Sequence, residues 1–149
     1  MKYQLENWES YYKDCQELWQ EYYAEVSVDH KNLELSMDVD KYKTMEEAGI
    51  LKIITARVEG KLVGFFMGML TTHLHYKDSL CGFQDLLFLS KEYRKGSNGI
   101  KLVAVAEQEF KKQGAQYLFF ASHPNRNSGK LLSYLGFAPN DTTYIKFIG

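Results

Sequence analysis

The stretch DLLFLSKEYRKGSNGIKLVAVAEQEF, residues 85–110, decides how the chain folds. Its apolar start is the end of a strand that reads from Leu80 to Leu89. It leads into Arg94-Lys95-Gly96-Ser97-Asn98-Gly99, and a helical period starts at once, with Leu102, Val103, Ala106 and Phe110 on one face and Gly114 as the stop. Glycines at such a junction let backbone amides turn toward a ligand. The helix amino terminus adds partial positive charge, and Arg94 and Lys95 add full charges, so the segment has the makings of a pyrophosphate cradle. Taken alone, a loop with two glycines and two basic residues is more often a plain strand-to-helix turn.

The flanking sequence sets the architecture. Upstream, Ile50 to Val58 and Lys61 to Thr72 are apolar or β-branched and are separated by Glu59-Gly60. Lys77-Asp78 makes a second turn before Leu80 to Leu89, so three consecutive antiparallel strands are predicted. Downstream, Tyr117 to Ser122 reads as a buried strand, Ser128 to Leu135 as a short helix ended by Gly136, and Thr143 to Ile148 as a final strand. At the amino end Leu5, Trp8, Tyr12, Cys15, Trp19, Tyr22 and Val26 form one helical stripe, which predicts a helix over residues 4–25. A shorter helix near Lys43 to Ala48 stops at Gly49. The expected fold is α/β: one mixed, mostly antiparallel sheet flanked by helices, in a single domain over residues 1–149.

Composition excludes several classes. The chain of 149 residues is long enough to bury a core, and 45% apolar with 25% charged residues is ordinary globular usage. The apolar run Val63 to Leu70 is too short to span a membrane, and the amino terminus lacks the apolar core of a signal peptide, so a cytoplasmic protein is the default. Cys15 and Cys81 make no disulfide scaffold and have no metal-type spacing. The net charge of −1 hides an asymmetry: residues 1–50 carry 5 Lys/Arg against 12 Asp/Glu, the remainder 13 against 7. Either solvated faces differ in sign, or a basic half holds an anion while an acidic half attracts a cation.

Leu87-Phe88-Leu89, Glu92-Tyr93-Arg94 and Ile100-Lys101-Leu102 fall in register with a known pattern. The segment resembles the acetyl-CoA-binding motif of the GNAT superfamily of N-acetyltransferases, in which a strand, an R-x-x-G-x-G turn and an amphipathic helix follow one another. Ser97 stands where the first Gly of the motif is usual and Gly96 one place earlier, a spacing similar to a branch of small GNAT-like proteins encoded by bacteriophages. A second match is HPNRNSGKLLSYLGF, residues 123–137, which resembles the family's last helix. The resemblance implies that acetyl-CoA is held by Leu87, Phe88, Leu89, Arg94, Lys95, Gly96, Ser97, Asn98, Gly99, Ile100, Asn125 and Ser128. It also implies that Leu86–Leu89 and Tyr117–Ser122 splay apart to receive the pantetheine arm. Residues 50–149 would form this core, and residues 1–50 the variable helices on the substrate side.

Acetyl transfer to an amine needs a base for the amine proton and gains from an acid for the leaving thiolate. The resemblance puts Phe83 where many GNAT enzymes carry a basic Glu. Asp85 lies two residues on, returns to the same face by strand alternation, and is the sole acid of an apolar strand. A carboxylate that never moves a proton fits the residues equally well. At the family's acid position stands Leu132; Tyr144 is a substitute, and His73, two residues from His75, could relay a proton. No third ligand stands at sensible spacing from this His pair, so no metal is expected. The resulting expectation is an acetyl-CoA-dependent N-acetyltransferase acting on a primary amine of a small molecule or protein. The rival is an inactive GNAT scaffold that binds CoA and docks a partner protein, such as one of a phage host. Dispersed basic charges and a pI near 6.4 speak against nucleic acid, nothing points to a membrane, and a homodimer stays open.

Overall fold

The computed structural model describes residues 1–26, 34–122, 126 and 128–149. Five strands form one sheet in the order β1 (Lys2–Glu6), β2 (Leu51–Val58), β3 (Lys61–His73), β4 (Tyr76–Leu89) and β5 (Tyr117–Phe119). The first four are antiparallel neighbours, and β5 joins β4 in parallel after the crossover helix α4 (Asn98–Lys112). Three further helices, α1 (Trp8–Tyr12), α2 (Gln16–Val26) and α3 (Val39–Glu47), precede β2, and α5 (Ser128–Tyr134) follows β5. This is the mixed α/β sheet flanked by helices that the sequence predicts.

The strands from Leu51 to Leu89 form because β-branched and aromatic side chains on both faces of a central sheet are buried, but the second turn falls at Leu74-His75, and Lys77-Asp78, expected to make it, lies within β4. On one face Trp8, Tyr11, Trp19, Ile53, Phe65, Met67 and Phe88 form a core beneath α1 and α2. On the other, Leu102, Ala106 and Phe110 of α4 cover Ile54, Val63, Phe66 and Leu89. Gly82 permits the tightest approach there: a Cβ on it would lie 2.4 Å from Phe110 Cδ1 and 2.7 Å from Leu118 Cδ1.

Two further expectations are corrected. The single helix over residues 4–25 is instead a strand and two helices. Leu5 lies on β1, opposite Ile54, because the edge of β2 offers a ladder of backbone hydrogen bonds that an isolated helical turn lacks. The Asn7 side chain then accepts from Ser10 N at 2.8 Å and starts α1. The helical stripe survives only from Trp8 onward. The final strand Thr143–Ile148 does not form: residues 138–149 have no regular structure and are exposed throughout. Strand propensity without a partner edge leaves backbone groups to water.

Arg57 fixes the new amino-terminal path. Its Nε donates to Glu6 at 2.7 Å, its Nη2 to the same carboxylate at 2.9 Å, and its Nη1 to Asp14 at 2.7 Å, where α1 gives way to α2. Burial opposes the charge on Glu6, yet hydrogen bonds from Arg57, Thr55 and Gln4 outweigh it and hold the carboxyl at about 2 against an ordinary 4.5. A carboxyl lowered in the folded state stabilises fully above its unfolded pKa, and loses that stability as pH falls through the folded one. The melting-temperature deficit of Glu6→Gln is therefore expected to be largest above pH 4.5 and to close as the solution is acidified toward pH 2. Thermal melts of both proteins across that window measure it; a constant deficit would show that the charge is not what Glu6 contributes.

Candidate active site

The sheet opens where β4 and β5 part. Parallel pairing lasts for Cys81–Tyr117, Gly82–Leu118 and Phe83–Phe119, and then ends. Next, the side-chain oxygen Oε1 of Gln84 accepts from Ala121 N at 2.9 Å, so a side chain spans what backbone pairing no longer does. On the β3 side the register runs Met67–Leu86 and then Gly68–Gln84, which leaves Asp85 as an unpaired bulge residue. Leu86 to Leu89 continue past the opening with no strand on that side among the described residues. Leu87 O and Leu89 O point into the gap, where they accept from Arg126 Nη1 at 2.7 Å and Arg94 Nε at 2.6 Å. A strand residue directs its N–H and C=O the same way, so the amides of Leu87 and Leu89 face the gap too.

Asp85 sits at the mouth of this opening, on the side of α2 and α3. Its charge raises the pKa of both Tyr22 and Tyr42; burial is the larger cause in each case, and Tyr42 is pushed up to about 12. The residue is open to solvent, yet burial of its own carboxyl raises its pKa. A carboxyl wetted from one side and walled on the others satisfies both observations. It has no hydrogen-bond or salt-bridge partner among the described residues. Every other carboxylate with a resolved shift is lowered by one or more arginines.

The glycine turn is arranged for an anion. Gly96 takes φ +60°, and Ser97 caps α4 without a side-chain hydrogen bond. Asn98 is pinned instead: its Nδ2 donates to Tyr93 O at 3.0 Å and its carbonyl accepts from Tyr3 OH at 3.1 Å. The amides of Gly96, Ser97, Gly99 and Ile100 have no acceptor among the described residues. Four such donors at the start of a 15-residue helix suit a pyrophosphate. Lys95 is exposed beside them.

Arg94, expected as a phosphate contact, is held here by groups of the protein itself. Its guanidinium folds back onto β4 and grips Glu25 with two hydrogen bonds, of 2.9 and 2.7 Å. Arg126 Nε shares the same carboxylate at 3.0 Å, and both guanidiniums lie over the Phe88 ring, at 5.1 and 5.2 Å. Burial opposes the charge on Glu25, but the hydrogen bonds from Arg94 and Arg126 win and lower its pKa. Glu25 and Arg126 escaped the sequence reading, because partners 69 and 101 residues apart leave no local pattern.

The remaining candidates separate. Ser128 Oγ lies 2.8 Å from Ser122 Oγ and ties the end of β5 to the start of α5. Asn125 and His123 lie outside the described residues. His73 Nδ1 accepts from His75 N at 3.1 Å, and its ring is 6.3 Å from that of Phe83, near the site but not on the gap edge. Tyr144 is not brought to the site: it is 90% exposed on the irregular carboxy-terminal segment. Leu132, at the family's acid position, is buried in α5. Among the described residues no cluster of His, Cys, Asp or Glu could hold a metal, and no helix is long and apolar enough to cross a membrane.

A bulged strand beside an opened gap, ending in a glycine turn at a helix start, agrees with the comparison against family models. The model described as the Acetyltransferase (GNAT) family matches residues 6–137. The chain belongs to this family. No curated protein matches it by sequence. Among solved structures, this GNAT chain is similar to ribosomal-protein-alanine N-acetyltransferase from Brucella melitensis biovar Abortus 2308, with TM-score 0.73 and 15% identity over 99% of this chain and 100% of that one. A transcriptional regulator from Bacillus halodurans C-125 gives TM-score 0.75 at 17% identity, over 98% and 99%. Aminoglycoside N-acetyltransferase AAC(6')-Iy in complex with CoA gives 0.67 at 16%, over 99% of each chain. At such identities these likenesses concern the fold.

The raised pKa of Asp85 carries a consequence for stability. A carboxyl raised in the folded state costs nothing below its unfolded pKa, and destabilises progressively as pH climbs through the folded one. Asp85→Asn is therefore expected to melt higher than the parent protein at pH 7, with the gap closing below about pH 3.8, the ordinary Asp value. Calorimetric scans at both pH values check this; a variant that melts lower at pH 7 would show that the carboxylate supports the fold.

Proposed function

We propose that this GNAT protein transfers an acetyl group from acetyl-CoA directly to a primary amine, with Asp85 as the base. The observation that carries the reading is the Asp85 carboxyl on the bulge, beside the gap where β4 and β5 part, with no partner among the described residues and a pKa raised by burial. The family assignment supports acetyl transfer in general. Its structural relatives include enzymes named for acetylating an alanine of a ribosomal protein and an aminoglycoside, both amines.

The free amides of Gly96, Ser97, Gly99 and Ile100 would hold the diphosphate, with Lys95 adding charge, and the edge of Leu87 and Leu89 would take the arm that leads to the thioester. Acetyl-CoA, when bound, supplies an activated acetyl carbonyl. Asp85 takes a proton from the ammonium form of the acceptor, and the freed nitrogen lone pair forms the new C–N bond. Backbone amides on the gap edge stabilise the oxygen on which charge develops. As the C–S bond breaks, the now cationic nitrogen loses its second proton, which passes through water to the thiolate. A thiol is acidic enough, with a pKa near about 8.5, to leave without strong acid help, which suits a site where Leu132 and Tyr144 offer none. Neither Cys15 nor Cys81 calls for a covalent route, since both are buried.

The same missing acid favours a second reading, a scaffold that binds CoA and does not turn over. Turnover separates the two. Asp85→Asn is expected to lower kcat by about 10²–10⁴ and to remove the acidic limb of the pH–rate profile, with calorimetric affinity for acetyl-CoA unchanged. Near-normal turnover with the parent profile would make the carboxylate structural. Gly99→Glu is expected to abolish acetyl-CoA binding in a folded protein, since only the mobile end of Leu131, 3.1 Å from the added Cβ, must give way. Unchanged affinity would move the cofactor away from this turn.

A further inference from the structure

Phe83 and Phe119 belong to neither core. They face each other in register across the last pair of the β4–β5 ladder, stacked at 4.9 Å with an interplanar angle of 7°. His73 adds its ring 6.3 Å from one and 6.2 Å from the other, and all three are half-buried. The missing Cβ of Gly82 points at Phe110 under α4, so its neighbour Phe83 points to the opposite face. That is the face of Asp85, whose charge reaches Tyr22 and Tyr42 there. A half-open aromatic wall therefore begins two residues before the carboxylate, a span of about 6–7 Å along a strand.

We infer that the acceptor is a monoamine carried on an apolar, planar group, and that Phe83 and Phe119 select it. The inference rests on the acetyl-transfer reading above and names the substrate class of that site. An amine drawn to Asp85 lays the rest of its body along the wall, where a ring stacks and a two-carbon link spans the distance. Stacked or edge-on contact with two half-buried rings rewards a planar apolar group more than a sugar ring, whose hydroxyls lose water there without a hydrogen-bond partner from the rings. A polycation would need several carboxylates, yet six of the twelve in residues 1–50 are held by groups of the protein itself. Glu6 and Asp14 are held by Arg57, and Glu25 by Arg94 and Arg126. Glu21 accepts from Ser90, Glu46 from Trp8 N, and Asp38 caps α3. Half of the acidic residues among the first fifty thus serve the fold.

The test compares 2-phenylethylamine, ethylamine, spermidine and kanamycin as acceptors, read as thiol release from acetyl-CoA. The expected result is kcat/KM at least about tenfold higher for 2-phenylethylamine than for the other three. Phe83→Ala and Phe119→Ala should each reduce the ratio of phenylethylamine to ethylamine by about tenfold, a difference of 1.4 kcal/mol in transition-state binding. Phe83→Leu, which keeps apolar bulk, guards against a folding fault and should lower the ratio less. Preference for spermidine or kanamycin, or equal loss for all amines in the alanine variants, overturns the inference and leaves acetyl transfer standing. If no amine is consumed, the acetyl-transfer reading fails on its own, and calorimetric titration of 2-phenylethylamine into the CoA-saturated protein decides the surface. Binding that Phe83→Ala abolishes upholds the ring wall; no binding, or binding that Phe83→Ala leaves intact, overturns it.

Discussion

Three residue pairs join β4 to β5, and the abrupt end of that ladder is the constraint on which the site depends. Gly82 lets α4 and β5 come as close as backbone can, with Phe110 and Leu118 filling the space of the missing side chain. One residue later the ladder stops, and the bulge at Asp85 turns β4 away from its neighbour. Gln84 reaches across to Ala121 and keeps the opening at a fixed width without closing it. A sheet edge left open in its own middle would normally be a liability. Here it leaves the amides of Leu87 and Leu89 facing the gap, while their carbonyls accept from Arg126 and Arg94.

Charge is distributed around this opening by contrast. Arg57 gathers Glu6 and Asp14, and Arg94 with Arg126 gathers Glu25, each across a long separation in sequence. These partly buried clusters tie β1, the α1–α2 break and α2 to the sheet, and removal of one partner would leave a charge with little water to solvate it. Asp85 is treated in the opposite way. Among the described residues no cation pairs with it, and burial shifts its carboxyl toward the protonated form. A group that costs stability where other acids gain it is the kind of position that the proposed base role requires.

Much of this was legible in the sequence, for identifiable reasons. Long β-branched runs broken by Glu59-Gly60 can hardly be anything but a meander, and the glycine turn before an amphipathic helix located α4 and the free amides. The amino terminus was misread because Leu5, Trp8 and Tyr12 obey helical spacing while Lys2 to Glu6 also alternates. Only the open edge of β2 decides between the two, and Asn7 was the local clue. Thr143 to Ile148 has strand composition but finds no ladder, a matter of tertiary partners that composition does not report. Alternation placed Asp85 on the face of Phe83 correctly. It could not foresee the bulge, which puts Leu86 on that face as well, since Leu86 packs in the core beneath α2. The arginine clusters and the Phe83–Phe119 stack join residues far apart in the chain and leave no periodic trace.

The central claim is that the opened strand edge and the glycine turn act as one cofactor site. Amide chemical shifts of the ¹⁵N-labelled protein, followed during titration with CoA, test it most directly. The account predicts that Gly96, Ser97, Gly99 and Ile100 move together with Leu87 and Leu89, along one saturable curve. Shifts confined to other surfaces, or movement at the turn with β4 unaffected, would contradict it.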